Sequence, residues 1–395
     1  MGKLKRSTSN QDLRGGYTTG ACAAAAARAA VRGLIDGQVS HQVSIQIPNR
    51  EWVNFTLART EIVANQNAAK DAVAAHSERC NVNWAAINSV LCGVIKDAGD
   101  DPDCTHGLEI QCQARLVNAP GIHLKGGLGV AVVTKPGLEL PVGEPAINPV
   151  PRANIIEMAR LEWLNASELW QDHYGVELTI IVPGGKVAAK ETINERLGLI
   201  GGISILGTRG TVIPYSTSAF AASVRQSIQI AQANGLSHVA LTTGSRSEKA
   251  ARQLLPRLEP MALIQAGDFI GVGLRAAKRY GLASVTLVVM IGKMGKLISG
   301  RMMTHVSGHR IDFTRMAVLA EQSGLPSELC QQIAQANTGR HVLDLVRKHS
   351  PERYFNRLCD EAKAHASNYI TDALAIDVVL VDFNGQPLGR SASYQ

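Results

Sequence analysis

The strongest constraint on the fold is an alternation in the second half of the chain, where short apolar stretches lead through glycine loops into helical patterns. The apolar stretches are residues 238–241, 262–265 and 285–291, with a further one at 377–383. Such alternation is typical of parallel strands joined by crossover helices. Ser245 and Glu248 have the spacing of a capping box, which predicts a helix start there. We therefore predict an α/β three-layer domain with a mainly parallel sheet over residues 206–395.

The first half of the chain has a different pattern. Six of the seven residues from 21 to 27 are alanine, and two threonines precede them. This run predicts a helix over residues 19–32 with hydroxyl caps at its start and a stop at Gly33. Alternating apolar and polar residues predict a hairpin and two further strands, at residues 43–47, 52–57, 108–116 and 129–134. Together these patterns predict an α+β domain with a mainly antiparallel sheet over residues 1–205.

Composition excludes a disordered chain and leaves the ligand open. Hydrophobic residues make up 45% of the chain and charged residues 18%, which is the balance of a globular protein. Aromatic residues make up 4%, which argues against stacking platforms for single-stranded nucleic acid. The net charge is +7, and this excess suits nucleic acid, an anionic membrane surface or a polyanionic small molecule.

The cysteines and the hydropathy pattern indicate a reducing compartment. The seven cysteines form no C-x-x-C motif, which argues against a disulfide framework and against a cysteine zinc site. No run reaches the roughly eighteen apolar residues of a membrane span. The basic N-terminus is followed by polar residues, and the alanine run behind them is broken by Arg28, which argues against a signal peptide. We predict a cytoplasmic protein.

Three glycine loops follow predicted strands, where α/β proteins bind ligands: residues 242–247, 266–273 and 292–296. None has a G-x-G-x-x-G or P-loop pattern, so each fits an ordinary strand-to-helix turn as well as a ligand contact. The entry to the alanine helix, residues 15–20, suits either plain capping or the binding of a carboxylate or phosphate.

Two charged segments add candidates for chemistry. Residues 96–107 hold four aspartates and one histidine, which suits a hard cation, a base with a raised pKa or an Asx-rich turn. We favour the turn over metal binding, because no glutamate completes an EF-hand pattern. Residues 293–315 hold five lysines and arginines against one aspartate, which suits either an anionic ligand or a solvated basic face. No Ser/His/Asp or Cys/His triad can be recognised in the sequence.

Several short motifs lie in a fixed order over residues 14 to 315. They are GYTTGACAAA at 16–25, KDAGDDPD at 96–103, THG at 105–107, KPGL at 135–138, VGEPAINP at 142–149, TINERLG at 192–198, GGISILGT at 201–208, GKL at 295–297 and TH at 304–305. The ordered set resembles one family, the cobalt-precorrin-5B C-1 methyltransferases (CbiD) of the anaerobic cobalamin pathway. That family is similar in having an α+β domain followed by an α/β domain.

The resemblance implies transfer of a methyl group from S-adenosylmethionine to C-1 of cobalt-precorrin-5B, giving cobalt-precorrin-6A in cobalamin (vitamin B12) biosynthesis. Cobalt is then part of the substrate, and no protein-bound metal is implied. The carboxylate arms of the corrinoid agree with the net charge of +7. Because such a transfer depends on in-line positioning, it does not require a triad. The implied partners are the corrinoid and, transiently, neighbouring corrin-pathway enzymes, with no nucleic acid and no membrane.

The resemblance and the loop positions together give candidate site residues. The catalytic candidates are Asp97, Asp100, His106 and His305. The substrate-binding candidates are Tyr17, Thr18, Thr19, Asn148, Arg196 and Lys296. The cofactor-binding candidates are Thr242, Thr243, Gly244, Ser245, Gly267 and Asp268. We expect replacement of Lys296 by alanine to weaken substrate binding in a salt-dependent way.

Two other functions compete with this interpretation. A tetrapyrrole-binding or channelling protein would bind the corrinoid without saturable affinity for S-adenosylmethionine. A nicotinamide oxidoreductase could be built on the α/β domain, but the missing dinucleotide fingerprint argues against it. A titration with each cofactor distinguishes the three.

Overall fold

The computed structural model describes residues 13–64, 87–166, 168–304 and 311–392. The chain divides into two units, Met1–Ser216 and Thr217–Gln395, and each contains a five-stranded sheet. Within the described ranges, no helix combines the length and the apolar character needed to cross a membrane.

The first unit combines helices with several small sheets. Its helices are α1 (Thr19–Asp36), α2 (Pro149–Trp163), α3 (Glu168–His173) and α4 (Gly185–Ala188), with short 3-10 helices at Ala189–Glu191 and Glu195–Leu197. Its strands are β1 (Gly16–Tyr17), β2 (Gln42–Gln46), β3 (Trp52–Thr56), β4 (Arg59–Ala64), β5 (Ile87–Ile95), β6 (Glu109–Val117), β7 (Gly121–Gly126), β8 (Gly129–Val130), β9 (Val132–Val133), β10 (Gly175–Ile181), β11 (Leu199–Ile200), β12 (Gly202–Ile203) and β13 (Thr211–Val212).

Small side chains allow helix α1 to lie in the core of the first unit. Its alanines from 21 to 27 are at most 1% exposed, and the helix packs on α2, β5 and β6. Thr18 caps the helix, with Oγ1 accepting from the Ala21 N–H at 3.2 Å. The predicted stop at Gly33 is wrong, because the helix continues to Gly37, whose φ is 69°. Gly33 instead permits close packing, since a Cβ there would collide with Val39.

The main sheet of the first unit is mixed. Its strand order is β4-β5-β6-β10-β7, and the pairings are antiparallel except that of β10 with β7. Strands β2 and β3 pair antiparallel with each other, which confirms the predicted hairpin. Alternate residues of β5 (Val90, Cys92 and Val94) are buried, on the strand against which α1 packs.

Residues 129–134, which the sequence predicts as one strand, form two separate two-residue strands. Strand β8 pairs with β12 in parallel, and β9 pairs with β11 antiparallel. Since both partners lie far along the chain, the local apolar pattern of residues 129–134 cannot show where the strand is interrupted.

The first unit ends at Ser216, beyond the boundary at residue 205 that the sequence predicts. Strand β13 pairs with β1. Asp101 accepts a hydrogen bond from the Tyr215 N–H at 2.9 Å, and the Gly20 N–H donates to the Leu206 carbonyl at 3.1 Å. These contacts attach residues 206–216 to the first unit.

The second unit contains most of the helices in the described part of the chain. They are α5 (Thr217–Ala233), α6 (Ser245–Leu254), α7 (Ile270–Arg279), α8 (Ile291–Leu297), α9 (Phe313–Gln322), α10 (Ser327–Ala334), α11 (Gly339–Val346) and α12 (Glu352–Tyr369). Its strands are β14 (His238–Thr242), β15 (Leu263–Gln265), β16 (Ser284–Met290), β17 (Ala375–Val381) and β18 (Pro387–Arg390). The four strands predicted from the sequence in this half are confirmed as β14 to β17.

The sheet of the second unit has the order β15-β14-β16-β17-β18, and its pairings are parallel except that of β17 with β18. Strand β14 leads to β15 on one side, whereas β16 lies on its other side. The adjacent carboxyl ends of β14 and β16 therefore form a topological switch point, where α/β sheets bind ligands. The three-layer arrangement stays a prediction.

The start of helix α6 differs from the predicted capping box. Gly244 occupies the N-cap position and has no side chain to cap the helix, whereas Ser245 is the first helical residue. Glu248 instead accepts from Gln265 Nε2 at 2.6 Å, on the neighbouring strand. The capping-box spacing is present in the sequence, but Glu248 is engaged by this tertiary contact.

Candidate functional site

A cavity of about 130 Å³ lies at the N-terminal end of helix α1 in the first unit. Its polar lining includes Thr18, Thr19, Lys96, Asp103, Thr105 and Asn194. Ile203, Leu206 and Val212 add apolar surface. The cavity thus combines one charged pair with hydroxyl, amide and aliphatic groups.

Two of the three predicted substrate-binding residues at the start of α1 line this cavity. Thr19 Oγ1 accepts from the Leu206 N–H at 2.9 Å, which ties the helix start to residues 204–206. Thr18 caps the helix. Tyr17 is different, because its half-buried ring packs against Phe55 with the ring centroids 4.8 Å apart. Tyr17 therefore contributes to the core of the first unit.

A buried ion pair forms the charged part of the cavity. Lys96 follows strand β5 and is 2% exposed, and its Nζ lies 2.5 Å from Asp103 Oδ2. Asp103 Oδ1 accepts from the backbone N–H of Thr105 at 2.8 Å and from its hydroxyl at 2.6 Å. Burial raises the pKa of Asp103, but the hydrogen bonds from Lys96 and Thr105 outweigh it and leave the pKa below its ordinary value.

The predicted catalytic aspartates lie in the same loop but outside the cavity lining. Both oxygens of Asp97 accept from Arg14, at 2.5 and 2.8 Å, and Oδ1 also accepts from the Gly99 N–H. The hydrogen bonds from Arg14 and then Gly99 lower the pKa of Asp97 to about 2. Asp100 Oδ2 accepts from the Arg14 backbone N–H at 2.6 Å. The expectation of a base with a raised pKa is therefore wrong at Asp97, which is held as a carboxylate by its cationic partner.

His106 is fixed by a backbone hydrogen bond. Its Nδ1 accepts from the Ala98 N–H at 3.1 Å, which places the proton of a neutral ring on Nε2. Asp97 Oδ1 lies 3.8 Å from the same nitrogen, but an ion pair there would need a proton on Nδ1, which the Ala98 bond opposes. The ring is 52% exposed. His106 can therefore donate a hydrogen bond through Nε2.

The remaining substrate candidates of the first unit lie beside the cavity-lining segments. Asn148 precedes α2, and its N–H donates to the Ile205 carbonyl at 3.0 Å. Arg196 is half-buried in the short helix that follows Asn194. Neither belongs to the cavity lining. His305 lies outside the described residues.

In the second unit, the structure brings the two predicted cofactor loops together. The carbonyl of Thr242 accepts from the N–H groups of Ala266 at 2.8 Å and Gly267 at 3.0 Å. The Thr242 side chain is buried and donates to the Ile264 carbonyl at 3.3 Å, so it positions the loop. The Thr243 N–H donates to Ser247 Oγ at 2.9 Å, which folds the loop onto the start of α6.

Asp268 and the predicted substrate ligand Lys296 belong to one polar network in the second unit. Asp268 Oδ1 accepts from Thr304 Oγ1 at 2.8 Å and from Lys293. Lys296 Nζ donates to the Thr304 carbonyl at 2.7 Å, and the residue is 6% exposed. Burial, and then the charge of Lys293, lowers the pKa of Lys296. Lys296 is therefore buried and holds the backbone of residue 304 in place through this hydrogen bond.

Two glycines face open space at the switch point of the second unit. Gly244 precedes α6 after strand β14, and Gly292 lies in the first turn of α8 after strand β16. A Cβ placed on either glycine would meet no atom within 4 Å among the described residues. The first backbone N–H groups of a helix have no partner inside the helix. The carboxyl ends of β14 and β16 therefore have room for a ligand next to hydrogen-bond donors.

The described residues form no group of three or more histidine, cysteine, aspartate or glutamate side chains close enough to hold a metal ion. In the acidic loop at residues 96–107, the carboxylates accept hydrogen bonds from Arg14, from Lys96 and from the backbone N–H of Tyr215. Asp97 and Asp103 also accept from the backbone N–H groups of Gly99 and Thr105, two residues further along, and these are the local hydrogen bonds of an Asx-rich turn.

Comparison with known proteins identifies the family. A family model described as CbiD matches residues 6–214, and a model described as CbiD, C-terminal domain, matches residues 303–392. The chain belongs to the CbiD family. All residues that line the cavity lie within the first matched segment, whereas the loops at Thr242 and Gly267 lie between the two segments.

Relatives match this chain over nearly its whole length. A cobalt-precorrin-5B C(1)-methyltransferase from Geobacillus sp. (strain WCH70) is 43% identical over 383 residues, covering 97% of this chain and 98% of that protein. Another, from Leptospira interrogans serovar copenhageni, is 43% identical over 386 residues, covering 98% of each. The solved structure of the cobalamin biosynthesis protein cbiD from Archaeoglobus fulgidus covers 79% of this chain and 85% of that chain, with 24% identity and a TM-score of 0.35. That geometric similarity is too low to transfer residue positions.

In this CbiD family member, sequence reasoning missed Lys96 and Asp103 as cavity residues. Both lie in the KDAGDDPD motif, but from this motif the sequence analysis predicted Asp97 and Asp100 as catalytic residues. The alternation of β5 carries the missing signal, because Val94 is buried, Ile95 is exposed and Lys96 is buried again. A lysine in register with a buried stripe is expected to point inward.

Proposed function

We propose that the protein transfers a methyl group from S-adenosylmethionine to C-1 of cobalt-precorrin-5B and forms cobalt-precorrin-6A in anaerobic cobalamin biosynthesis. The observation that carries this proposal is 43% identity, over 97% of the chain, to a curated protein of that name. The proposal includes a cytoplasmic location, from the cysteine usage, and transient contacts with the enzymes that make and consume this corrinoid.

We place the methyl donor at the carboxyl ends of β14 and β16. The open space at Gly244 and Gly292 and the adjacent helix N-termini support this placement, because they offer room and backbone donors together. S-adenosylmethionine supplies an electrophilic methyl group on a sulfonium when it is bound. Thr243, Gly244 and Ser245 would hold its nucleoside end, with Gly267 and Asp268 forming the adjacent loop.

We place contacts to the corrinoid on the first unit, at the start of α1 and in the loop of residues 96–107. Thr18 and Thr19 line the cavity, and His106 offers an exposed Nε2–H. Asp97 and Asp100 hold residue 14 and so fix the entry to α1. Asn148, Arg196 and His305 remain part of the proposal through the motifs in which they lie.

The chemical task of the chain's own residues is to bind and orient. The attacking ring carbon and the methyl group must lie in line, and fixing that geometry lowers the barrier because little reorganisation is left. Histidine is the side chain best suited to a proton transfer near neutral pH, so His106 is the described residue that we assign to any such step.

A binding titration with a coupled product assay tests this function. We expect saturable binding of S-adenosylmethionine, and release of S-adenosylhomocysteine only when cobalt-precorrin-5B is also present. A protein that binds the corrinoid but shows no saturable affinity for S-adenosylmethionine would be a binding or channelling protein, and the proposal would fail.

A further inference from the structure

The buried ammonium of Lys96 has more hydrogen-bond donors than the first unit satisfies. A lysine ammonium carries three N–H donors. Among the described residues, Asp103 is the one hydrogen-bond partner of Nζ, while the residue is 2% exposed and lines the cavity. Burial of unsatisfied donors costs free energy. A ligand oxygen inside the cavity would relieve that cost.

Two hydroxyl groups add donors to the same cavity. Thr18 Oγ1 accepts from Ala21, which leaves its own O–H to donate. Ser204 Oγ accepts from Asn194 Nδ2 at 3.4 Å, which likewise leaves its O–H. Helix α1 has eighteen residues and begins at this cavity, so its macrodipole favours negative charge there. These groups together match an anionic oxygen ligand.

The size of the cavity limits what can enter it. Its volume is about 130 Å³, whereas pockets that bury a whole drug-sized ligand begin at about 300 Å³. A macrocycle does not fit, but a short aliphatic chain with a carboxylate at its end does. Ile203 and Val212 would contact the methylene groups of such a chain.

The rim of the cavity suits the body of a larger ligand. Leu206 lines the cavity and is 49% exposed, and Ile193 is 41% exposed between the cavity residues Thr192 and Asn194. Exposed aliphatic side chains next to a binding cavity gain free energy when an apolar ligand surface covers them.

We propose that this cavity binds one carboxylate-ended side chain of the substrate, with Lys96 as the cation that recognises the carboxylate. This inference rests on the proposed function, because a corrinoid with acetate and propionate arms is the ligand that the proposed function supplies. The body of the corrinoid then lies over Leu206 and Ile193, outside the cavity.

Asp103 sets the direction in which Lys96 can bind a second carboxylate. Its Oδ1 receives both hydrogen bonds from Thr105, while Oδ2 faces Lys96. The two donors from Thr105 stabilise its negative charge, so one ammonium can serve Asp103 and a ligand carboxylate from different sides. Lys96 is in this sense a specificity residue for the charge of the substrate arm.

The alkylation rate of Cys104 reports directly whether a ligand occupies the cavity. This residue lines the cavity and is exposed, whereas the other described cysteines are buried: Cys22, Cys92, Cys112, Cys330 and Cys359. Burial, and then Asp103, raises the pKa of Cys104, so alkylation is followed at mildly alkaline pH. Peptide mass spectrometry of the full chain measures the alkylation rate at this residue.

The probes are two stable cobalt corrinoids that differ in their arms. Cobyrinic acid carries carboxylates, and cobinamide carries carboxamides. We expect cobyrinic acid to slow the alkylation of Cys104 in the wild-type protein at least about tenfold, and cobinamide to slow it far less. Equal protection by the two probes, or none by cobyrinic acid, overturns the proposal without any variant.

Variants test whether the protection of Cys104 by cobyrinic acid depends on Lys96. Lys96→Met is expected to remove the protection by cobyrinic acid, whereas Lys125→Met, which removes the exposed partner of Glu177 in the same unit, is expected to retain it. A double variant, Lys96→Met with Asp103→Asn, avoids a lone buried carboxylate and keeps the test valid if the single variant does not fold. Protection that survives in either folded Lys96 variant contradicts the assignment.

The two proposals fail separately. A wild-type protein that methylates cobalt-precorrin-5B but shows no carboxylate-dependent protection overturns the assignment of the cavity and leaves the proposed function standing. Carboxylate-dependent protection without methylation overturns the proposed function and leaves the cavity as a carboxylate site.

Discussion

Arg14 controls the charge of Asp97, the first aspartate of the acidic loop. The hydrogen bonds from Arg14 are the largest cause that lowers the pKa of Asp97 to about 2, and the Gly99 N–H adds to them. A carboxyl whose pKa is lower in the folded state stabilises the fold above its unfolded pKa of about 3.9. That stabilisation is lost as the pH falls from about 4 towards about 2.

Replacement of Arg14 by glutamine is therefore expected to raise the pKa of Asp97 towards, but not up to, its ordinary value. The Gly99 N–H remains and keeps part of the shift. Carboxyl-carbon NMR titration measures the pKa directly. Arg115→Gln, which breaks the ion pair with Glu177, is the matched control and is expected to leave Asp97 unchanged. An unchanged pKa in the Arg14 variant contradicts this account.

Replacement of Lys296 distinguishes two roles for the basic segment at residues 293–315, support of the fold and binding of the substrate. If Lys296 supports Thr304 from inside the fold, Lys296→Ala is expected to lower the free energy of unfolding by about 1 kcal/mol, because the Thr304 carbonyl loses its 2.7 Å hydrogen bond from Lys296 and keeps the 3.3 Å bond from Lys293. Urea unfolding measures this change, and the exposed Lys249→Ala variant serves as the control. An unchanged stability with a salt-dependent loss of corrinoid affinity would instead support the surface contact predicted from the sequence.

At the residue scale, the positions of polar segments were easier to predict from the sequence than the partners that their side chains contact. Thr18 and Thr19 line the cavity, and their role in binding the substrate stays a prediction. Lys296 and Asp97 differ, because their partners Thr304 and Arg14 are fixed by tertiary packing that the local pattern does not contain.

Helices α1 and α2 are joined by a buried charge cluster. Glu162 on α2 accepts from Arg28 at 2.6 Å and from Arg32 at 3.1 Å, and its side chain is 5% exposed. Glu162→Ala is expected to destabilise the protein by about 3 kcal/mol or more, because the buried Arg28 would keep its hydrogen bond to the Ser44 carbonyl but lose its carboxylate partner. Chemical denaturation measures the loss.

An exposed ion pair is the control for this cluster. Glu144 accepts from Arg152 at 3.1 Å and is 48% exposed, so Glu144→Ala is expected to cost less than about 1 kcal/mol. Equal effects of the two substitutions would contradict the structural role of Glu162.

The loops after β14 and β16 carry the cofactor proposal at the element scale. A Cβ at Gly292 meets open space, so Gly292→Val is expected to fold and to obstruct the switch point. We expect its affinity for S-adenosylmethionine to fall at least about tenfold by calorimetry. Ser327→Val, at the exposed first residue of α10, is the matched control. A Gly292 variant that binds as well as the wild type would place the cofactor elsewhere.

Elements with a strong local period were predictable, and those that depend on distant partners were not. Strands β14 to β17 and the β2–β3 hairpin follow apolar patterns of their own. The division of residues 129–134 depends on pairing with β11 and β12. Gly33 lies inside helix α1, where a side chain at that position would collide with Val39.

At the scale of the whole molecule, the sequence predicts a boundary at residue 205, whereas the structure divides the chain after Ser216. A change of pattern near residue 205 marks the start of the α/β texture, whereas β13 and Tyr215 remain attached to the first unit. The ordered motifs predict the family, and the family models match the same chain from residue 6 to residue 392 in two segments.

Transfer of one methyl group to C-1 is the central claim, and an anaerobic incubation tests it most directly. The purified protein is mixed with cobalt-precorrin-5B and S-adenosylmethionine carrying a carbon-13 methyl group, and the corrinoid is analysed by mass spectrometry and NMR. The cobalt-precorrin-5B C(1)-methyltransferase from Geobacillus sp. (strain WCH70) is run on the same substrate as the positive control. We predict one labelled methyl group on C-1. An unmodified corrinoid, in a sample that the control enzyme methylates, would contradict the account.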